Sequence, residues 1–390
     1  MTRRISYIPA VFLLALSCLG QTKSADRVVD LTSADGTRLK ATFFSPANPG
    51  PGVLLLHQCN KDRKIWDSLA RQLAASGLNV LTFDLRNFGE SEGKPLDQLA
   101  PEEAQASARK WPADVDAAFQ YLVSQPDVKR DIIGLAGASC GVNNSVQAAR
   151  RHPEVKSLVL LAGPTDLDGR NFLRHTSLPI LYGYADDDEF PPSPLNTQWQ
   201  YALTPSPSKK LVRYPDGGHG AEIFKVHPEF ETVIRDWFVT TLIRTPGQAP
   251  VSKEKPALPK SIQFFTLLEE PGGAAKVSAM LAEARKKDNK ATLFPEDVVN
   301  IMGYEHMQAG DNGGAVEILK LNAEAYPHSA NVYDSLSDAY LANGQKDLAL
   351  ANVKRALEML KTDTTTPQRI RDGIKASCEQ KLKQLGAKPE

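Results

Sequence analysis

Apolar and polar positions along residues 27–243 follow two alternating patterns. Short, largely apolar runs, such as residues 52–57, 79–84 and 132–137, are typical of strands that are buried on both faces of a sheet. Helix-length stretches lie between them, and residues 64–76 carry their apolar side chains at helical spacing. Strands that alternate with helices predict an α/β fold with a mostly parallel sheet covered by helices on both faces.

The pattern changes in the second part of the chain. Residues 244–260 contain four prolines and no apolar periodicity, which indicates an extended linker. Over residues 261–390 strand-like runs are scarce, and a repeat of 34 residues relates Gly310 to Gly344. This period, with small residues where helices cross, is typical of tetratricopeptide repeats. We expect a tetratricopeptide-like all-α domain, which serves either as a groove for a protein partner or as a structural cap.

Residues 1–20 resemble a secretory signal peptide. Arg3 and Arg4 precede an apolar run over residues 8–16, which is too short to span a bilayer as a stable anchor. This pattern predicts an exported protein, periplasmic or extracellular. A lipid anchor on Cys18 and an uncleaved N-terminal helix are the two alternatives.

Composition and charge exclude several classes of protein. The chain has 390 residues, with 46 Lys and Arg against 46 Asp and Glu, and this zero net charge argues against a nucleic-acid-binding protein. A hydrophobic fraction of 42% is ordinary for a globular protein and excludes wholesale disorder and a multi-pass membrane protein. The four cysteines form no C-x-x-C pair, no H-E-x-x-H occurs, and the seven histidines do not cluster, so we expect no metal site.

Residues 137–141 read Gly-Ala-Ser-Cys-Gly, which fits the pattern G-x-S-x-G. They directly follow a predicted buried strand and open a predicted helix, as a nucleophile elbow does. The glycines remove side chains that would clash in such a sharp turn, and the turn lifts the hydroxyl above the sheet. We therefore predict Ser139 as a nucleophile. The alternative is a packing turn whose serine caps the next helix.

A general base and an acid for this serine follow the later strands. His219 lies in a Gly-Gly-His-Gly loop between the last strand and the last helix of this region, where an imidazole can reach the hydroxyl. Asp186, Asp187 and Asp188 follow the preceding strand, and one of them would orient the imidazole. We favour Asp186 because an acid close to the strand end is held by the sheet, and we leave the other two open.

Residues 27–242 resemble the α/β-hydrolase superfamily, and most closely its dienelactone-hydrolase-like branch. The resemblance rests on the elbow, the aspartates, the histidine loop and residues 83–91, which look like the family's D-x-R-x-x-G-x-S loop. In that loop we expect Asp84 and Arg86 to be structural, holding the loop by charge-assisted hydrogen bonds. The Gly-x-x-Asp spacing of the family falls on Gly183 and Asp186.

The resemblance implies two-step acyl transfer by a triad of Ser139, Asp186 and His219, without a cofactor. A small-molecule ester or lactone would bind in an open, shallow pocket. Dienelactone hydrolases proper use a cysteine nucleophile, so the serine at this elbow is a departure. The family also often has His-Gly after an early strand, where this chain has His57-Gln58. Both departures leave the substrate open.

Two cysteines lie where the resemblance places the oxyanion-binding groups. The backbone N–H groups of Cys140 and Cys59 would stabilise the charge that develops on the carbonyl oxygen of the substrate. Because their loops converge, the two residues could form a disulfide, which would leave Cys378 unpaired. We expect instead two separate thiols that fill small spaces. A Cα separation above about 7 Å would exclude the bond.

Three functional interpretations follow from these residues. We favour a serine hydrolase of carboxylic esters with a helical tail. The second interpretation is a serine peptidase of the prolyl-peptidase type. The third is a non-catalytic binding protein that works through its helical repeats, and the complete set of serine, aspartate and histidine argues against it.

Overall fold

The structure, a computed structural model, describes residues 25–387 apart from 47, 191 and 252–255. The predicted signal peptide and Cys18 lie outside the described residues. The strands are β1 (Ala25–Thr32), β2 (Arg38–Ser45), β3 (Gly50–Leu56), β4 (Asn79–Phe83), β5 (Val128–Ala138), β6 (Val155–Leu161), β7 (Ile180–Ala185) and β8 (Lys209–Tyr214). The helices are α1 (Asp67–Ala75), α2 (Pro101–Ala108), α3 (Trp111–Ser124), α4 (Cys140–Arg151), α5 (Leu167–His175), α6 (Pro192–Leu203), α7 (Ile223–Val226), α8 (Glu229–Phe238), α9 (Ser261–Leu268), α10 (Gly273–Lys287), α11 (Glu296–Gln308), α12 (Asn312–Ala325), α13 (Ala330–Ala342), α14 (Lys346–Thr362) and α15 (Gln368–Gln384).

The strands form one sheet in the order β1-β2-β4-β3-β5-β6-β7-β8. β1 and β2 are antiparallel, and β2 is antiparallel to β4, whereas β3 to β8 run parallel to one another. Every residue of β3, β4 and β7 is buried, and these strands occur in the sequence as largely apolar runs. The predicted α/β class with a mostly parallel sheet is confirmed, and the carboxyl ends of the parallel strands meet at one edge.

Helices cover both faces of the sheet. α3 and α4 pack on one face, where Phe119 joins an apolar cluster that includes Leu54 of β3. α1 and α8 pack on the opposite face, where Leu73 joins a second cluster that includes Leu55 of the same strand. Neighbouring residues of a strand point to opposite faces, so β3 supplies both cores. In the residues that the structure describes, we find no helix long and apolar enough to cross a membrane.

From Ser261 onward, the residues that the structure describes contain helices and loops but no strand. α11 to α15 pack against their neighbours in chain order. Gly303 of α11 lies directly against Leu319 of α12, because a Cβ at this glycine would come within 2.4 Å of the leucine Cγ. The two helices therefore approach each other closely at this glycine. The assignment of these helices to tetratricopeptide repeats stays a prediction.

The helical part packs against the sheet domain through an apolar and an ionic contact. Trp199 of α6 shares an apolar cluster with Phe265 of α9, and the two rings lie 5.4 Å apart. Beside them, the buried guanidinium of Arg170 on α5 binds Glu269 at 2.5 Å and Glu305 at 2.7 Å. The two parts of the chain thus share one continuous packed interface.

Candidate active site

Ser139 occupies a sharp turn between β5 and α4. Its backbone angles are φ 53° and ψ −121°, a conformation that side-chain-bearing residues rarely adopt. Two glycines make this turn sterically feasible. A Cβ at Gly137 would lie 2.0 Å from the carbonyl oxygen of Gly141, and a Cβ at Gly141 would lie 2.4 Å from that of Leu56. The sequence Gly-x-Ser-x-Gly therefore forms the expected strand–turn–helix, with the serine half-buried at the edge of the sheet.

His219 is buried and is held by a carboxylate. Its Nδ1 lies 2.8 and 3.0 Å from the two carboxylate oxygens of Asp188, whose side chain is fully buried. Nδ1–H donates to this carboxylate, which leaves Nε2 as the nitrogen free to accept a proton. Phe190 covers the imidazole, with ring centroids 4.6 Å apart, and is itself 48% exposed. The imidazole of His219 is thus held by the buried Asp188 and bordered by the exposed ring of Phe190.

The prediction that Asp186 orients the histidine is wrong. The backbone N–H of Asp186 still pairs with β8, donating to Tyr214 O at 3.0 Å, and its carboxylate binds the exposed Arg213 with two bonds of 2.8 Å. The sheet does hold this acid, as expected, but holds it away from the imidazole. Asp187 instead accepts a hydrogen bond from Gly218 N at 2.9 Å. The chain turns at Asp186 and Asp187, and the next aspartate, Asp188, contacts His219.

Backbone contacts bring the histidine loop next to the elbow. A Cβ at Gly220 would lie 3.4 Å from the Cβ of Ala138, the residue that precedes the serine. Gly163 also packs against the backbone of the serine, since a Cβ there would lie 2.2 Å from Ser139 O. Across the described residues, no hydrogen bond joins the Ser139 hydroxyl to His219. Such contacts are often long in ligand-free sites and shorten in the complex with substrate.

Gln58 is a site residue that the sequence analysis did not identify as functional. Its side chain is fully buried, and its Oε1 accepts a hydrogen bond from Ala221 N at 2.9 Å. Its Nε2 donates to Asn60 Oδ1 at 2.8 Å and lies 3.4 Å from His219 O. The amide therefore holds the backbone at His219 and directly after it. The one available sequence signal was the departure from His-Gly to His57-Gln58.

His57 itself is a structural residue. Its Nδ1–H donates to Gln58 O at 2.8 Å, and its Nε2 accepts from Leu85 N at 3.1 Å. Complete burial lowers the pKa of His57, so the ring is neutral and uses both nitrogens to join the end of β3 to the loop after β4.

Asp84 and Arg86 hold the loop over residues 83–91, as predicted. Asp84 accepts from the backbone N–H of Arg63 at 2.7 Å and from that of Glu90 at 2.9 Å. Arg86 binds the buried Asp114 through two side-chain bonds of 2.6 and 2.8 Å. Both charges are thus satisfied within the protein and lie in the framework of the loop.

Cys59 and Cys140 form a disulfide, with their Cα atoms 5.8 Å apart. The expectation of two separate thiols is therefore wrong. The residues are 81 positions apart in the sequence, and the parallel pairing of β3 with β5 brings their loops to the same edge of the sheet. Cys378 is a free thiol buried in the helical part, as the pairing requires.

The disulfide lies between two cavities. Cys59 lines one of about 630 Å³, together with Phe88, Leu96 and the side chains of Lys61 and Lys225. Cys140 lines the other, of about 490 Å³, which continues along α4. That second cavity includes Glu305 of α11, so the helical part contributes to a wall near the serine. Among the described residues, no group of side chains has the arrangement of a metal site.

Comparison with known proteins finds a family match over part of the chain. Residues 51–186 match the family model described as alpha/beta hydrolase fold. The chain is 30% identical over 132 residues to the thiohydrolase aneE of Aspergillus aculeatus, which is 34% of this chain and 39% of that protein. It is 31% identical over 181 residues to an uncharacterized protein of Mycobacterium tuberculosis, which is 46% of this chain and 59% of that protein. The chain thus spans less than two thirds of these curated relatives.

Some solved structures are similar to part of the chain. An esterase from Pyrococcus furiosus aligns with a TM-score of 0.47 and 19% identity, covering 55% of this chain and 92% of that one. A dienelactone hydrolase from Anabaena variabilis aligns with a TM-score of 0.45 and 22% identity, covering 56% of this chain and 99% of that one.

Proposed function

We propose that this chain, whose first domain is an α/β hydrolase by fold and by its family match over residues 51–186, is a serine hydrolase of small carboxylic esters or lactones. One observation carries the proposal. A strained serine at the carboxyl end of β5 has beside it a buried histidine whose Nδ1 is held by a buried aspartate. Serine, histidine and aspartate in these relative positions support acyl transfer on several unrelated folds.

The mechanism assigns one role to each side chain. His219 Nε2 takes the proton from Ser139 Oγ as this oxygen attacks the substrate carbonyl, and Asp188 stabilises the resulting imidazolium through Nδ1–H. The imidazolium then gives its proton to the leaving alkoxide, and an acyl-enzyme remains. Water, deprotonated by the same imidazole, releases the acid and restores the serine.

Two backbone N–H groups would stabilise the oxyanion. Cys140 N–H is at the first position of α4, where helix amides have no partner within the helix. Cys59 N–H lies in the facing loop after β3. Within the described residues, neither N–H donates to a protein acceptor, so both are available to a substrate oxygen. A helix N-terminus also favours negative charge.

The substrate class extends naturally to thioesters. The Aspergillus relative is named as a thiohydrolase, and the same serine chemistry cleaves an oxygen or a sulfur ester. Phe190 beside the histidine would contact an apolar acyl or alcohol group. A substrate panel should therefore pair each short p-nitrophenyl ester with a thioester of the same acyl chain.

The decisive experiment is the Ser139→Ala variant. We expect kcat on p-nitrophenyl acetate to fall by about 10³-fold or more, and labelling by a fluorophosphonate probe to disappear. Ser145→Ala is the matched control, because this buried serine lies on α4, which directly follows the turn, and has no hydrogen-bond partner to lose. Full activity of Ser139→Ala would contradict the triad, and an unlabelled wild-type protein would favour a non-catalytic binding protein.

We also propose that the protein works outside the cytoplasm. The Cys59–Cys140 disulfide supports this, because such bonds persist in oxidising compartments. N-terminal sequencing of the mature protein from fractionated cells would test it, and would separate cleavage near residue 20 from lipidation at Cys18. A full-length N-terminus on cytoplasmic protein would contradict the proposal.

A further inference from the structure

We propose that the Cys59–Cys140 disulfide is a positioning element of the oxyanion hole, and that efficient ester hydrolysis requires this bond to be intact. The inference rests on the proposed serine hydrolase function. The bond connects the side chains of the same two residues whose backbone N–H groups would bind the substrate oxygen. The bond therefore restricts the distance between these two N–H donors.

The bond ties the elbow to a loop that has no regular secondary structure. Cys140 belongs to the elbow, where Ser139 N donates to Leu161 O at 2.9 Å and Gly141 packs against the backbone of β3. Cys59 lies in residues 57–62, which contain neither helix nor strand. The backbone bond inside that loop joins Lys61 N to Gln58 O at 3.1 Å. The disulfide thus extends the rigidity of the elbow to the second donor.

Catalysis is sensitive to this spacing. An oxyanion hole works because its donors already point at the place where charge develops, so no reorganisation is needed during the reaction. Without the cross-link, the Cys59 N–H can move relative to Cys140 N–H, and the hole must be assembled in each turnover. The substrate carbonyl binds weakly to such donors, whereas the transition state depends on them. Loss of the bond should therefore lower kcat more than it changes KM.

The bond is also within reach of a small reductant. Both cysteines are half-buried, and each lines a different cavity, of about 630 and 490 Å³. A dithiol such as dithiothreitol supplies two electrons and two protons, which convert the disulfide to two thiols while the dithiol closes to a cyclic disulfide. The reaction is reversed by an external disulfide, so activity can be switched off and on in one sample.

The test compares oxidised, reduced and reoxidised full-length protein with the variant C59A/C140A, at a temperature below every melting transition. On p-nitrophenyl acetate we expect reduction and the double variant each to lower kcat about 10- to 100-fold and to change KM by less than about 3-fold. Reoxidation should restore the wild-type protein. Cys378→Ala is the control, because it removes the buried free thiol of the helical part and should respond as the wild type does.

A trifluoromethyl ketone inhibitor provides the readout that a merely structural bond would not move. Its adduct with Ser139 places an oxyanion in the hole, so its affinity should fall by about the same factor as kcat. Unchanged kcat and inhibitor affinity in the reduced protein would overturn the inference alone, even if the melting temperature falls. An oxidised wild type that neither turns over the ester nor reacts with a fluorophosphonate would overturn the proposed function, and the inference with it.

Discussion

Three consecutive aspartates after β7 have three different partners. Asp186 binds Arg213 at the surface, Asp187 accepts from Gly218 N, and Asp188 holds His219. Their side chains are chemically identical, so the difference between them comes from where the backbone leaves the sheet. The buried position of Asp188 excludes water from its bond to the imidazole, which makes that bond the one able to stabilise an imidazolium.

Asparagine substitutions at these positions distinguish the acid. Asp188→Asn keeps the shape but presents a weaker, neutral acceptor to Nδ1, so we expect kcat/KM on p-nitrophenyl acetate to fall about 10²- to 10⁴-fold. Asp186→Asn loses an exposed ion pair and should change kcat/KM by less than about 2-fold. Equal losses in the two variants, or a larger loss in Asp186→Asn, would contradict the assignment.

The neutral state of His57 predicts a pH dependence of stability. Because burial lowers its folded-state pKa, the unfolded chain takes up a proton on this ring as the pH falls below about 6.5, while the folded protein does not. Its contribution to the free energy of unfolding is thus complete above that pH and declines below it, by at most about 1.4 kcal/mol per pH unit.

His57→Gln would remove this dependence while keeping an acceptor for Leu85 N. Chemical denaturation of both proteins between about pH 7.5 and 5 measures it, and we expect a shallower loss of stability in the variant than in the wild type. Parallel curves for the two proteins would show that His57 is not held neutral.

At the scale of elements, the loop after β3 supports the loop that carries His219. Gln58 accepts a hydrogen bond from Ala221 N. Only a glycine fits at position 220 beside it, because a Cβ there would lie 2.5 Å from the glutamine Oε1. Gly220 also has φ 62°, which a glycine adopts without strain. The position of His219 is therefore set from two directions, by Asp188 on its ring and by Gln58 on its backbone.

Gln58→Met tests this support, since methionine fills a similar volume without hydrogen bonds. We expect kcat to fall about 10-fold, because His219 would sample positions away from the serine. Gln198→Met is the matched control, as its amide bonds the carbonyl of Pro194 within its own helix. The pH profile of kcat/KM should also broaden or shift in Gln58→Met, which a loss of stability alone would not cause. Wild-type kcat in this variant would contradict the role.

The sequence predicts those features that local burial and strand order determine. Residues 52–57 and 79–84 were recognisable as β3 and β4 because a strand buried on both faces has no polar side. Ser139 and His219 were recognisable because glycines and strand ends surround them. The aspartate that contacts His219 was not recognisable, because the choice among three aspartates depends on the pairing of β7 with β8. The disulfide joins residues 81 positions apart, and no local pattern records such a contact.

At the scale of the whole molecule, a buried ion cluster joins the sheet domain to the helical part. Arg170 bonds Glu269 and Glu305, Arg174 also bonds Glu269 at 2.5 Å, and the Arg170 guanidinium lies 4.7 Å from the centre of the Trp199 ring. Burial raises the pKa of Glu305, although Arg170 opposes this shift. Each carboxylate in the cluster therefore depends on an arginine from the other part of the chain.

Removal of the central arginine should separate the two parts. Arg170→Met keeps much of the packing on Trp199 but leaves the buried Glu305 without its cation, and breaking a buried pair in this way costs about 3–5 kcal/mol. We expect a matching loss in the free energy of unfolding, measured by denaturation. Arg150→Met, which breaks a more exposed pair with Asp168, is the control and should cost less than about 1 kcal/mol.

A second substitution shows whether the loss of stability in Arg170→Met comes from the buried carboxylate of Glu305, which has lost its cation. Without the arginine, the folded-state pKa of Glu305 lies further above its unfolded-state pKa. Glu305 therefore destabilises the folded protein increasingly as the pH rises from the unfolded-state pKa to the folded-state pKa. The defect of Arg170→Met should therefore be smaller at pH 5 than at pH 8. Glu305→Gln in the same chain removes the charge and should recover about 1–2 kcal/mol at pH 8 but little at pH 5. If the double variant is as unstable as the sum of the single variants at both pH values, the two residues act independently, and the unpaired carboxylate of Glu305 is not the cause of the loss.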